Sequence, residues 1–266
     1  MDILLVIKTI IMGLMEGATE FLPISSTGHL IIAGDLLNFL SKEKRDVFEI
    51  IIQLGAILAV CWEYRQRLID KIIHLRDQTS SRGFFINLAL AFFPAAFVGL
   101  LFHKQIKLYL FAPFTVACAL IVGGVAILLI EKYLEHGETK TVDDMTPLQA
   151  LKIGLAQTLS LVPGVSRAGA TILGGISAGL DRHAATEFSF FLAIPIMFAA
   201  SGFDLLKSYQ FLSAADLPIF LIGFVTAFVS ALLVIRMLIR FVANHDFTVF
   251  AWYRIIFGLA VLAYYW

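Results

Sequence analysis

Charged residues are scarce in this chain: they make up 15% of its 266 residues, whereas 59% of the residues are hydrophobic. Because a soluble domain carries about a quarter of charged residues, this composition indicates an integral membrane protein. The 20 lysines and arginines balance the 20 aspartates and glutamates, so the net charge gives no indication of nucleic acid as a partner. The two cysteines, Cys61 and Cys118, lie in apolar runs, which favours buried thiols over a disulfide or a thiolate metal site.

Long apolar stretches predict six membrane-spanning helices, since about 20 residues are needed to cross the hydrocarbon core. These stretches cover residues 47–63, 84–102, 114–132, 186–206, 217–238 and 248–266. Two further regions, 3–38 and 148–180, are divided into shorter pieces by Pro23 and by Pro163. We name these interruptions the first break, around Pro23, and the second break, around Pro163. Each region is typical of a re-entrant helical hairpin, whose free backbone groups must face protein or a watery cavity.

The order of these elements repeats, because each half of the chain holds one re-entrant hairpin followed by three spans. Three is an odd number, so the second half must lie upside down relative to the first, as an inverted-topology repeat. We therefore predict an all-α integral membrane protein of one domain, with repeat 1 at 1–133, a polar linker at 134–147 and repeat 2 at 148–266. Placing residues 64–83 in the cytoplasm puts most lysines and arginines on that side, which supports this orientation.

Two carboxylates precede the first break. Glu16 and Glu20 are four residues apart, so they share one face of a helix. Ionisable groups at membrane depth are costly and mark functional sites. Two carboxylates this close repel each other unless a cation or a proton lies between them, and such a pair suits Mg²⁺ or Ca²⁺ together with a substrate phosphate. The alternative is a proton relay, or a solvated pair in a transporter cavity.

Hydroxyl side chains follow both prolines: Ser25, Ser26 and Thr27 in the first case and Ser166 in the second. Serine caps helix N-termini, and the free backbone N–H groups of two such helix ends would form a cradle for phosphate. Capping alone would account for the single serines, but not for three hydroxyls followed by His29. Ser26 and His29 lie about one turn apart on one helix face, which places a possible nucleophile beside a possible general base.

Arginine occurs inside two apolar regions. The Arg167 guanidinium keeps its charge and can bind two phosphate oxygens at once, although a structural salt bridge to Glu16 or Glu20 is the alternative. Gly164 next to the second break permits close approach of the backbone. Arg254 in the last span is expected to pair with a carboxylate in a structural role.

With these residues the chain resembles the bacterial undecaprenyl-pyrophosphate phosphatase family, the bacitracin-resistance membrane phosphatases, over essentially its whole length. The acidic motif of that family appears as Glu16-Gly-Ala-Thr-Glu20. Its Pro-Gly-x-Ser-Arg-Ser-x-x-Thr motif appears as Pro163-Gly164-Val165-Ser166-Arg167-Ala168-Gly169-Ala170-Thr171. Ala168 stands where the family usually has serine, so either a hydroxyl at 168 is not needed or this member is slower or more selective.

The resemblance implies hydrolysis of undecaprenyl or another polyprenyl pyrophosphate to the monophosphate and inorganic phosphate, which recycles the carrier lipid of cell-wall synthesis. It implies a divalent cation, Mg²⁺ or Ca²⁺, at Glu16 and Glu20. It also implies a multi-pass protein of the bacterial inner membrane whose site opens to the periplasmic or outer side. The catalytic candidates are Ser26, His29, Glu20 and Arg167. The substrate-binding candidates are Arg167, Ser25, Thr27, Gly164, Ser166 and Thr171.

Several alternatives stay open at the level of the sequence. Ser26 could attack phosphorus while His29 or a carboxylate takes its proton, His29 could itself be the nucleophile, or His29 could activate water directly. A secondary transporter or lipid-phosphate flippase is the alternative function, because inverted repeats with broken helices are common in transporters. The prenyl chain length, the physiological cation and the formation of a homodimer are left open as well.

Overall fold

The structure is a computed structural model that describes residues 2–110, 112–134, 137–208 and 213–265. Residues 1, 111, 135, 136, 209–212 and 266, which the predicted repeats, linker and last span include, lie outside the described residues. The described residues form α-helices and short 3-10 helices and contain no β-strand. The α-helices are α1 (Ile3–Thr19), α2 (Ser26–Leu36), α3 (Lys42–Glu63), α4 (Arg65–Ile73), α5 (Thr79–Tyr109), α6 (Pro113–Tyr133), α7 (Pro147–Gln157), α8 (Arg167–Ser177), α9 (Arg182–Ser208), α10 (Leu217–Val242) and α11 (Thr248–Tyr265).

Five of these helices are long and apolar enough to cross a membrane individually: α5, α6, α9, α10 and α11. The helix α3 meets the same criterion only together with α4, from which it is bent by 67°. Charged residues fill the first turn of α3, and Glu49 follows further along, so this helix is less apolar than the others. The prediction of an all-α membrane protein is confirmed, with five spans among the described residues, or six if the bent pair counts as one.

Both predicted breaks interrupt helices beside their prolines. The first break covers residues 20–25, between α1 and α2, and the second covers residues 162–166, before α8. A 3-10 helix, Thr158–Leu161, continues α7 towards the second break. Proline lacks a backbone N–H and its ring clashes with the preceding turn, so Pro23 and Pro163 explain why neither helix continues.

Small residues allow the helices to approach each other closely. A Cβ atom at Gly17 of α1 would collide with the Ser230 hydroxyl of α10. A Cβ atom at Gly258 of α11 would lie 2.9 Å from the carbonyl oxygen of Ala117 in α6. Such small contact residues are a common means of packing helices inside a membrane. The core lies mainly around α9, whose phenylalanines at 188, 190 and 191 are fully buried.

The described part of the predicted linker packs against the protein instead of forming a purely solvated connection. Val142 and Met145 are buried and belong to the largest apolar cluster. Asp143 pairs with Lys71 of α4 at 2.8 Å and with Arg67 of the same helix at 3.5 Å. This segment therefore packs its apolar side chains into the core and holds α4 through the two ion pairs of Asp143.

Candidate active site

The two breaks contact each other in the interior of the protein. The Ser166 hydroxyl of the second break donates a hydrogen bond to the Leu22 carbonyl of the first, at 3.4 Å. The Arg167 guanidinium reaches the Glu20 carboxylate, with 3.1 Å between Nη2 and Oε1. Since Glu20 and Arg167 are 147 positions apart in the chain, this ion pair brings the two sequence motifs to one place.

Ser26 is the first residue of α2, and its hydroxyl donates to the second oxygen of the same carboxylate. The distance from Ser26 Oγ to Glu20 Oε2 is 2.5 Å, a close hydrogen bond between the two side chains. Both residues are only 8% exposed, so water competes little for this bond. Glu20 thus accepts a serine hydroxyl on one oxygen and an arginine on the other, an arrangement in which it can take the serine proton.

Arg167 is held by more than its ion pair. Its Nη1 donates to the Ser189 carbonyl of α9 at 3.0 Å, and its guanidinium carbon lies 5.7 Å from the centre of the Phe21 ring. Its Nε is buried and has no hydrogen-bond partner among the described residues. A buried donor without a partner is costly, so this atom is available to an anionic ligand such as a phosphate oxygen.

Glu16 presents the complementary case of a buried acceptor. It is 1% exposed, and its Oε1 has no hydrogen-bond partner among the described residues. No group of three or more His, Cys, Asp or Glu in the described part of the chain could hold a metal ion. The unpartnered oxygen, one turn from Glu20, therefore fits a cation such as Mg²⁺, which takes only one or two protein carboxylates and completes its shell with water and substrate phosphate.

His29 is engaged away from the Ser26 hydroxyl. Its Nδ1 lies 2.7 Å from the Ser25 carbonyl oxygen, and its Nε2 lies 2.6 Å from the Tyr253 hydroxyl of α11. A carbonyl only accepts, so these bonds assign the proton to Nδ1 and leave Nε2 to accept from the tyrosine. The ring also stacks on Phe257 at 4.2 Å between centroids. The hydrogen-bond partner of Ser26 is thus Glu20, and His29 instead supports the turn that precedes α2.

The two serines that precede the helices share an uncommon backbone. Ser25 has a φ of 70° and Ser166 a φ of 74°, in the left-handed region that L residues seldom adopt. The Ser166 hydroxyl caps α8 by accepting from the Gly169 N–H at 3.0 Å, whereas no side-chain cap is made by Ser25. Gly164 in the second break has a φ of 95°, a conformation that glycine adopts without strain.

Two further candidates have different surroundings. Thr171 is fully buried, and its hydroxyl is bonded to the Arg167 carbonyl at 2.9 Å and to the Ser189 hydroxyl at 2.6 Å. Through these two hydrogen bonds Thr171 stabilises the positions of the Arg167 backbone and of Ser189. Thr27, in the first turn of α2, is half-buried.

Sequence reasoning missed Ser189 and Tyr253 and gave Arg254 the wrong partner. Every hydrogen bond of Arg254 within the described residues goes to a backbone carbonyl, so the predicted carboxylate partner is wrong. The physical reason is that the breaks leave three carbonyls outside helices, and these, together with two carbonyls of α6, stabilise a buried cation. Ser189 could have been noticed as a hydroxyl within an apolar run, and Tyr253 as the neighbour of Arg254.

The fold and the site define a class: helical membrane proteins in which two interrupted helices bring a serine, a carboxylate and an arginine together in the interior. Within that class the chain belongs to the family described as "Bacitracin resistance protein BacA", whose profile matches residues 9–260. The resemblance inferred from the two motifs is thereby confirmed.

Similar proteins match over their full length. An undecaprenyl-diphosphatase of Methylobacillus flagellatus is 59% identical over 271 residues, which cover 100% of both chains. One of Laribacter hongkongensis is 59% identical, covering 100% of this chain and 97% of its own. One of Nitrosomonas europaea is 58% identical, covering 98% of this chain and 95% of its own.

Proposed function

We propose that this chain is a membrane phosphatase that hydrolyses undecaprenyl diphosphate to the monophosphate and inorganic phosphate, and so recycles the carrier lipid of cell-wall synthesis. The names of its relatives support this function. The observation that carries it is the chain of contacts from Ser26 through Glu20 to Arg167. These three side chains supply a nucleophile, a base and a phosphate-binding cation at one buried place.

The geometry supports attack by Ser26 more than attack by His29. Ser26 Oγ forms a bond to the terminal phosphorus while its proton passes to Glu20 Oε2. The bond from phosphorus to the bridging oxygen breaks, and the lipid monophosphate leaves. Water then attacks the phosphorus of the phosphoserine, and the bond from phosphorus to Ser26 Oγ breaks. Glu20 returns its proton to Oγ, and inorganic phosphate leaves with the oxygen of the water. Both ring nitrogens of His29 are already bonded, so its role in this scheme is to hold the Ser25 turn.

Arg167 stabilises the charge on the phosphoryl oxygens during this transfer, through its unpartnered Nε and through the nitrogen that now binds Glu20. Glu16, with Glu20 beside it, would hold the divalent cation. When bound, that ion neutralises charge on the phosphate oxygens. The substrate-binding surface consists of the two helix N-termini behind Ser25 and Ser166, whose amides and positive dipole ends favour a phosphate.

The inverted repeat and the two re-entrant hairpins are part of the proposal. Its support is the exchange of partners between halves: α1 of the first half packs on α10 of the second, and α7 of the second packs on α5 of the first. These pairs correspond if each half begins with its broken helix. The matching φ values of Ser25 and Ser166 support the same correspondence. The inner membrane and a site that opens to the periplasmic side follow from the proposed substrate, while a homodimer stays a separate prediction.

Phosphate release by purified protein in detergent tests the function. Undecaprenyl diphosphate is the substrate, and the proteins are wild type, Ser26→Ala and Ser230→Ala. The control removes a hydroxyl that is 7% exposed and bonded only within its own helix. We expect release by wild type and the control, and a loss of kcat for Ser26→Ala of at least about 1,000-fold. A clean wild type that releases no phosphate with any cation would refute the phosphatase and favour the flippase.

A further inference from the structure

Arg254 of α11 is 1% exposed, and its guanidinium donates to five backbone carbonyls. One acceptor is Pro23 of the first break, at 3.0 Å. Two are Gly164 and Val165 of the second break, each at 2.9 Å. The last two belong to α6, namely the carbonyls of residues 119 and 120, at 3.0 and 3.2 Å. One side chain therefore joins both breaks to a neighbouring span.

A buried charge is costly unless it is fully hydrogen-bonded, and five carbonyl dipoles meet that condition here. A guanidinium offers five N–H donors in a fixed plane, whereas a lysine offers three donors from one nitrogen. A lysine at this position could therefore not bind all five carbonyls, although it carries the same charge.

We call these five hydrogen bonds of Arg254 the clamp. The clamp acts on the backbone immediately beside the catalytic side chains. A trans peptide is planar, so a carbonyl and the following N–H point in opposite directions. The hydrogen bond from Arg254 to the Val165 carbonyl therefore directs the Ser166 N–H away from Arg254. Arg167 is the next residue in the chain, so its backbone is oriented by the same peptide. Holding the Pro23 carbonyl fixes the turn that leads into Ser26 in the same way.

The space for this side chain is made by a glycine of α6. A Cβ atom at Gly123 would collide with the Arg254 guanidinium at Nη2. By contrast, a Cβ atom at Gly83 of α5 would meet no atom of the described residues within 4 Å. The two glycines therefore offer a matched pair of alanine substitutions, of which only one displaces Arg254.

We propose that Arg254 is a positioning residue: it clamps the carbonyl side of both breaks so that the opposite side presents Ser26, Arg167 and the helix N-termini as one phosphate site. This inference rests on the proposed function for its catalytic consequence, although its effect on phosphate affinity can be measured without turnover.

The experiment compares wild type, Arg254→Lys, Gly123→Ala and Gly83→Ala as purified full-length proteins. Four quantities are measured: kcat for undecaprenyl diphosphate, KM for the same substrate, the affinity for inorganic phosphate from the rise in Tm that it causes, and Tm without ligand. We expect Arg254→Lys and Gly123→Ala to lower kcat/KM about 100-fold, as a small displacement of reacting groups does. Both should weaken phosphate binding by about tenfold, and Gly83→Ala should stay within about twofold.

The outcomes separate the inference from the proposed function. A purely structural role would lower Tm and the active fraction while leaving KM and phosphate affinity unchanged, and that result would overturn the inference. If Arg254→Lys does not fold, Gly123→Ala against Gly83→Ala decides the matter by the same criteria. A wild-type protein that binds inorganic phosphate but releases none from undecaprenyl diphosphate would refute the proposed phosphatase function. The phosphate affinities of the variants would still test the positioning role of Arg254.

Discussion

Replacing Glu20 by glutamine removes the proposed base and the anionic partner of Arg167 while keeping the size of the side chain. The amide oxygen can still accept from Ser26 or from Arg167, but it cannot take a proton. Loss of a general base lowers kcat by about 100- to 10,000-fold. That range corresponds to about 3–5 kcal/mol of activation free energy.

The same substitution has a predicted effect on stability. The side chains of Glu20 and Arg167 are 8% and 11% exposed, so the ion pair is buried. Removing one partner of a buried pair costs up to about 3–5 kcal/mol of unfolding free energy. Tm should therefore fall together with kcat in Glu20→Gln.

A matched control separates these two effects. Glu131→Gln removes another buried carboxylate, which binds Arg182 and the Phe247 N–H and, within the described residues, forms no hydrogen bond to either break. We expect this variant to lose a similar amount of stability but to keep its kcat per folded molecule. Steady-state phosphate release and thermal unfolding in detergent provide both numbers. A Glu20→Gln variant that keeps more than about a tenth of the wild-type kcat would refute Glu20 as the base, since that loss is far below the effect of a general base.

Three further predictions concern the same site. Tyr253→Phe removes only the hydroxyl bound to His29, so we expect a kcat within about tenfold of wild type; a loss as large as that of Ser26→Ala would contradict the supporting role of His29. Arg167→Lys cannot reach both Glu20 and the Ser189 carbonyl, so kcat/KM should fall about 100-fold or more, whereas a wild-type value would contradict its role in binding phosphate. Glu16→Gln removes a carboxylate whose Oε1 has no hydrogen-bond partner among the described residues, so it should raise the Mg²⁺ concentration for half-maximal activity about tenfold; an unchanged Mg²⁺ dependence would place the cation elsewhere.

The sequence predicted the class of the protein and the positions of its two breaks, because these depend on local properties. Apolar length determines which segments can cross a membrane. Pro23 and Pro163 lie in short apolar pieces next to serines and glycine, where helices do end, whereas Pro94 and Pro195 lie inside the long helices α5 and α9. The salt bridge of Arg167 was anticipated with two alternative carboxylates, and the structure pairs it with Glu20. Spacing alone could not choose between Glu16 and Glu20, because they share one helix face.

The partners of the buried polar side chains could not be predicted in the same way. Ser26 and His29 lie one turn apart, which suggests a pair, yet Ser26 bonds Glu20 and His29 bonds Tyr253 from a distant helix. Three of the five carbonyls that Arg254 binds belong to the breaks, and they reach Arg254 because both breaks fold next to α11. Such partners are decided by tertiary packing, which leaves no local signature.

The central claim is that the two breaks form one phosphatase site, and a double-mutant cycle tests it most directly. Phosphate release from undecaprenyl diphosphate is measured for wild type, for Ser26→Ala directly after the first break, for Arg167→Ala directly after the second, and for the double variant. Residues that act as a unit are strongly non-additive, so the double variant should be no slower than the slower single variant. Losses that multiply in the double variant would contradict the claim, because Ser26 and Arg167 would then act independently.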